Sequence, residues 1–289
     1  MGERITDLTE TESVDDNDLL TFVDVSDTLY SVNGTNKKVK KSNLIKDLTV
    51  DNLASGVLDT DLSSVSGNDD TIPSAKATKA FIDSLTNGWI PAEETWTYAS
   101  STTFTISGDK TGKYQKGDKI KLTQTSVKYF YIIGVSYSSN NTTITVTGGS
   151  DYSLANATIT KPYFSKAENP QGFPHWFSYT ASAGGFSTPP TMITRFCLKG
   201  TSCILNFVST TNGTSNSTGF TISLPITAKT ISNYSWRAQI LAVDNGNFAN
   251  NGTSYIESGI AVARLYINGA NNWTPSGNKS ANGQITYEI

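Results

Sequence analysis

The chain has 289 residues, a formal net charge of −3, 37% hydrophobic residues and only 16% charged ones. That length suits roughly two domains, and the remaining composition is Ser, Thr, Asn and Gly, which compete for backbone hydrogen bonds and favour β-sheets and turns over helices. No run of ~18 apolar residues occurs, which excludes a membrane-spanning helix.

Charge and aromatic content are unevenly distributed. Residues 1–88 carry 16 acids and 8 bases, residues 89–174 carry 6 and 8, and residues 175–289 carry 3 and 6. Phe22, Tyr30 and Phe81 are the sole aromatic residues before Trp89. The first third therefore lacks the material for an ordinary core of its own.

The opening "MGERITDLTETESVDD" is polar and acidic without an apolar h-region, so it is not read as a secretory signal. Its MGxxxT pattern, Gly2 to Thr6, meets the myristoylation rule only formally. "LLTFVDVSDTLYSVNGTNKKVKK" predicts a hairpin turning at Asn33-Gly34, where positive φ is cheap. Val23, Val25 and Leu29 are its apolar anchor residues. An isolated hairpin is marginal in water, so residues 1–45 are expected to dock on another protein. Lys37, Lys38, Lys40 and Lys41 are read as a solvated strand face or edge protection. Their acidic surroundings argue against a nucleic-acid patch.

Residues 46–88 hold sparse leucines and a break at "VSGNDDTIP". A short helix is expected from Ser74 to Leu85, entered after Pro73, with Ala77, Phe81 and Leu85 on one stripe. So narrow a stripe cannot hold a short helix alone. It suits a stalk of several parallel copies, or packing against the following domain.

From Trp89 the texture becomes β. "TTFTISG", "DKIKLTQT", "SVKYFYIIGVSY" and "NNTTITVTGG" predict a small antiparallel barrel or sandwich over 89–174. The strand "SVKYFYIIGVSY" has two apolar faces near its middle. "NPQGFPHWF" is expected to link the domains, its aromatic residues sealing the junction. Residues 175–289 offer roughly eight strands, consistent with a jelly-roll-like β-sandwich. Tyr234 and Trp236 are assigned to its core. Trp273, in "NGANNWTPSGN", and Tyr255 are candidate saccharide contacts through their flat rings, although Trp273 packed in its own loop is an equal alternative.

"RFCLKGTSCILNF" predicts a hairpin over Lys199-Gly200, pairing Phe196 with Cys203 and Thr194 with Leu205. That register puts Phe196, Leu198, Cys203, Leu205 and Phe207 on one face and Cys197 on the other, so the thiols stay free.

Catalytic constellations are absent from the sequence. His175 is the one histidine, and no GxSxG elbow accompanies it. Asp244, Glu257 and Glu288, the last acids of the chain, show no paired-carboxylate spacing. Two cysteines and one histidine do not make an ordinary zinc site, and Asp244-Asn245-Gly246-Asn247 lacks the alternating carboxylates of a calcium loop. No phosphate loop occurs. The expectation is a non-enzyme without metal or cofactor.

"ITDLTETESVDDNDLLTFVDVSDTLYSVNGTNKKVKKSNL" resembles the N-terminal attachment segments of tailed-bacteriophage fibre proteins, and "IPSAKATKAFIDSL" resembles a short helix recurring in them. The stretch from "GDKTGKYQKGDKIKL" to "NPQGFPHWF" resembles a β-domain of phage tail proteins, and "GFTISLPI" with the C-terminal unit is similar to heads that cap such fibres. The resemblance implies a virion-located homotrimer. Its N-terminus would hold other virion proteins and its C-terminal head would meet a saccharide of the host surface. The alternative it leaves is a purely structural head-fibre, decoration or baseplate protein.

Overall fold

The computed structural model describes residues 19–24, 26, 35–40, 58–59, 72–267 and 272–289. The chain is mainly β, with two antiparallel sheets after residue 88. It divides into two compact units, Met1–Thr78 and Lys79–Ile289.

In the first unit, β1 (Leu19–Asp24) pairs antiparallel with β2 (Thr35–Lys40), Leu19 opposite Lys40 and Asp24 opposite Thr35. The expected turn at Asn33-Gly34 lies outside the described residues. Lys38 is exposed on β2. Val25 and Leu29 lie outside the described residues. Two short strands, β3 (Leu58–Asp59) and β4 (Ile72–Pro73), pair in parallel.

Helix α1 spans Ala75–Thr86. Ser74 caps it, its Oγ accepting from Ala77 N at 3.0 Å, the arrangement that satisfies an orphan N–H of a first turn. Ala77 is buried, whereas Phe81 is 40% exposed and its neighbour Ile82 53%. The Leu85 side chain is outside the described residues.

The first sheet of the second unit runs β5 (Ile90–Pro91), β6 (Thr97–Ser100), β7 (Thr103–Ser107), β8 (Lys119–Gln124), β9 (Ser126–Ser138), β10 (Asn141–Thr147) and β11 (Thr160–Ser165) along the chain. In space the order is β5-β11-β8-β9-β10-β7-β6. Alternation builds one core from Phe104, Ile106, Ile120, Leu122, Phe130, Ile132, Ile144 and Val146, closed by Trp96, Tyr114 and Phe164. Trp96 stacks on Phe104 with ring centres 4.5 Å apart.

The opposite face of β9 is apolar too. Tyr129, Tyr131 and Ile133 join the core of the next sheet, because the second sheet lies against that face. This explains the two-faced reading of "KYFYIIG": a sheet covered on both sides loses its apolar–polar alternation.

The second sheet contains β12 (Phe177–Ser178), β13 (Ala183–Gly184), β14 (Phe186–Thr188), β15 (Met192–Lys199), β16 (Ser202–Ser209), β17 (Gly213–Ser215), β18 (Thr221–Ser223), β19 (Ser235–Asp244), β20 (Asn247–Glu257), β21 (Val262–Tyr266) and β22 (Asn278–Glu288). It is one hydrogen-bonded path, β12-β15-β16-β22-β19-β20-β21-β18-β13, with β14 and β17 beside it, rather than the two separate sheets of a jelly roll. Its ends curl onto a common core. Phe177 and Phe196 from one end share that core with Ile222, Ala263 and Leu265 from the other. Tyr179 Oη donates to Ser223 O at 3.1 Å across the curl.

The β15–β16 hairpin turns one residue later than expected, over Gly200-Thr201. Phe196 faces Leu205, Cys197 faces Ile204 and Leu198 faces Cys203. Side-chain parity survives this shift, so the apolar face remains Phe196, Leu198, Cys203, Leu205 and Phe207. Cys197 and Cys203 are free and buried. Burial pushes the Cys203 thiol up to about 12 and raises Cys197 as well. Since the thiolate is the nucleophile, iodoacetamide at pH 8 is expected to label the folded protein at least ~10²-fold more slowly than the urea-unfolded chain, which should take up two labels by intact mass. Labelling of either thiol at the unfolded rate would contradict this packing.

Candidate junction cleft

The two sheets meet through rings. Trp89, Tyr129, Tyr131, Tyr152, Phe173 and Phe177 form a chain of contacts with centres 5.0–6.2 Å apart. Each such pair adds about 0.5–1.5 kcal/mol beyond its buried area. The Trp89 indole N–H donates to Gln171 O at 2.8 Å, fixing the segment that carries Phe173. Ser150 N donates to Ser178 O at 2.7 Å, and Ser178 N donates to Asp151 Oδ2 at 2.7 Å. The aromatic residues of "NPQGFPHWF" do close the junction, Phe173 and Phe177 fully so.

Two glycines allow the backbones to touch. A Cβ at Gly117 would lie 2.2 Å from Gly200 O, and one at Gly149 would lie 2.0 Å from Ser178 O; their φ values are +88° and +61°. Both positions therefore reject a side chain sterically and conformationally.

Beside this contact lie two neighbouring hollows that share lining residues and together form a cleft. One, of about 390 Å³, is lined by Tyr131, Asn169, Phe173, His175, Trp176 and Ile204, among others. The other, of about 370 Å³, is lined by Gln115, Lys116, Asp118, Lys119 and Lys166. Glu168 and Lys199 line both parts and form an ion pair at 3.4 Å. His175 is exposed and Trp176 half-buried. Concave sites with aromatic walls and a few polar groups are the usual form of small-ligand sites. Cys197 also lines the cleft, and burial raises the pKa of its thiol. Among the described residues, no three His, Cys, Asp or Glu side chains are placed to hold a metal ion.

The sequence-derived ring candidates are elsewhere. Trp273 is 2% exposed: its indole N–H donates to Leu265 O at 2.7 Å and its ring meets Phe220 edge-on at 5.2 Å. This burial corrects its assignment as a ligand contact: Phe220 and Leu265 offer the ring an apolar seat. Tyr255 is half-buried on the opposite face of the sheet. The Arg237 guanidinium sits over its ring at 4.8 Å, and Tyr266 is 6.4 Å away. Trp273 and Tyr255 are thus separated by the sheet. Tyr234, assigned to the core, is instead 52% exposed and leans edge-on against Trp236 at 5.1 Å.

Sequence reasoning missed the cleft lysines. "DKIKLTQT" reads as a strand with Ile120 and Leu122 inward and its lysines outward. The available signal was in β9: Lys119 lies opposite Tyr131 and Lys121 opposite Tyr129. A face apolar on one strand is covered on its neighbour.

Comparison with protein-family models, curated proteins and solved structures finds no match for this chain.

Proposed function

We propose that this chain is a fibre-type protein of a tailed-phage virion, held to the particle by its N-terminal segment and presenting residues 79–289 for attachment to a host-surface saccharide. The observation that carries the attachment reading is the junction cleft, which places a half-buried Trp176 ring beside His175, Asn169 and Glu168 in a concave, polar-edged site. The resemblance of residues 5–44 to attachment segments supports the location, and the pairing of an apolar strand with a lysine strand is consistent with a segment completed by a partner. The finer architecture, an anchor and stalk followed by a small barrel and a curled β head, belongs to the same proposal.

The assembly is a homotrimer. One feature supports it: an outward row on the second sheet. In that row Ile193 lies opposite Val208, and Asn282 separates Val208 from Leu241. Ile193, Val208 and Leu241 are 57%, 43% and 38% exposed, an apolar row suited to another copy of the chain. Light scattering is expected to give three times the 31.1 kDa chain mass; a stable monomer at micromolar concentration would sink the trimer.

The attachment reading is tested with the full-length chain on cells that the virion infects. It is expected to bind them and to compete with virion adsorption, and immunogold labelling should find the chain on the particle. Burial of Trp273 favours the second reading, a purely structural virion protein. Labelling of the particle without cell binding would select it.

A further inference from the structure

We propose that the lysine-lined part of the junction cleft receives the anionic group of an acidic saccharide, a carboxylate or a phosphate, with Lys119 as its principal donor. This rests on the attachment reading and narrows it from saccharides in general to acidic ones.

The argument begins with Lys119. It is 5% exposed on β8 and lines the cleft, yet no described residue offers its Nζ a hydrogen-bond acceptor. Its one aromatic neighbour is Tyr131, whose ring centre is 5.9 Å away, at the outer limit of a cation–π contact. Burial lowers its pKa from the ordinary lysine value, opposed by the charges of Asp118 and Glu168. Its Nζ is not among the fully buried polar atoms left without a partner, so the ammonium opens on the cleft, where an anion would give it the charge-assisted acceptor that the surrounding side chains do not.

The two acids of the cleft are otherwise engaged. Asp118 is 4% exposed; its Oδ2 accepts from Gln115 N at 3.0 Å and lies 4.0 Å from Lys166 Nζ. Glu168 pairs with Lys199, and both are well exposed, so that pair is weak and easily displaced. Four lysines, Lys116, Lys119, Lys166 and Lys199, thus face two occupied carboxylates.

The cleft also fixes what kind of molecule carries the anion. The part walled by Trp176, Phe173 and Tyr131 adjoins the lysine part through Glu168 and Lys199. A sugar ring against Trp176 could place an acidic substituent or a neighbouring acidic residue beside Lys119. Inorganic anions would use only half the site.

The test uses the full-length chain and titration calorimetry with four probes: a neutral hexose oligosaccharide, the matching hexuronate oligosaccharide, the matching sugar phosphate, and inorganic phosphate. The acidic saccharides are expected to bind at least ~10-fold tighter than the neutral one, as a charge-assisted hydrogen bond provides, and to weaken with added salt. Lys119→Met should bring that ratio to about one, and Lys119→Arg should retain most of it. Trp176→Ala should weaken acidic and neutral saccharides alike. The uronate and phosphate arms identify which anion is taken.

An acidic-to-neutral ratio near one in the unaltered protein overturns the proposal and leaves saccharide attachment standing. The same holds if the ratio survives Lys119→Met. Binding of inorganic phosphate as tightly as the sugar phosphate overturns the saccharide half. If the chain binds host cells but none of the four probes, acidic-saccharide recognition is overturned; if it binds neither, the attachment reading falls with it.

Discussion

Gly117→Ala is expected to destabilise residues 79–289 by about 3 kcal/mol or more, lowering the melting temperature by roughly 6–12 °C for a unit of this size. The added Cβ would sit 2.2 Å from the Gly200 carbonyl oxygen, at a backbone φ of +88°. Neither atom has a flexible side chain to swing aside. Either the loop carrying Gly117 or the β15–β16 turn must retreat, and the rings of the junction would part with it. Gly108→Ala is the matched control, because it also has positive φ, +79°, but meets nothing within 4 Å. Calorimetry of the two variants separates conformational strain from collision. Equal melting temperatures would show that the sheets are not held at the distance described.

The second large effect concerns Lys279, which is fully buried on β22. Its Nζ donates to Ser217 O at 2.9 Å and Gly219 O at 2.6 Å, with the rings of Phe186, Phe220 and Trp273 at 4.8–6.0 Å. Burial pulls its pKa from 10.5 down to about 8, against the opposing charge of Asp244. Below pH 8 folded and unfolded chains both carry the proton, and the cost of burying the charge is present in full. Between pH 8 and 10.5 the folded chain releases the proton while the unfolded chain keeps it, so stability rises with pH across that window. The expected gain is ~3 kcal/mol. Cys203 works in the opposite direction above pH 9, since its thiol stays protonated when folded. The quantity to measure is therefore the difference in unfolding free energy between the unaltered protein and Lys279→Met. That difference should be flat below pH 7 and climb in favour of lysine up to pH 10.5; a flat line throughout would contradict the buried, charge-strained lysine.

What the sequence disclosed followed from period two. In the Cys197–Cys203 hairpin, moving the turn by one residue shifts each pair but preserves which side chains share a face. The thiol geometry was legible although the turn was misplaced. The two apolar faces of β9 likewise announced a covered sheet. Loops carry no such periodicity. "NGANNWTPSGN" is polar on both sides of Trp273, and nothing local reveals that Phe220, more than fifty residues earlier, receives the ring. The same limit hid the cleft: Lys119 and Trp176 are far apart in sequence and line adjoining hollows only because two sheets dock face to face.

The position of β22 has a kinetic meaning. It lies between β16 and β19, with Ile204 opposite Thr286 on one side and Ile240 opposite Gly283 on the other. The strands β12, β15 and β16 reach β19, β20 and β21 in the sheet only through it. During synthesis both halves must wait with open hydrogen-bonding edges until residues 278–288 arrive. Such dependence on distant pairing slows folding and prolongs the exposure of sticky intermediates. The second sheet is thus assembled by its latest strand, and the cell must shelter the earlier ones until then.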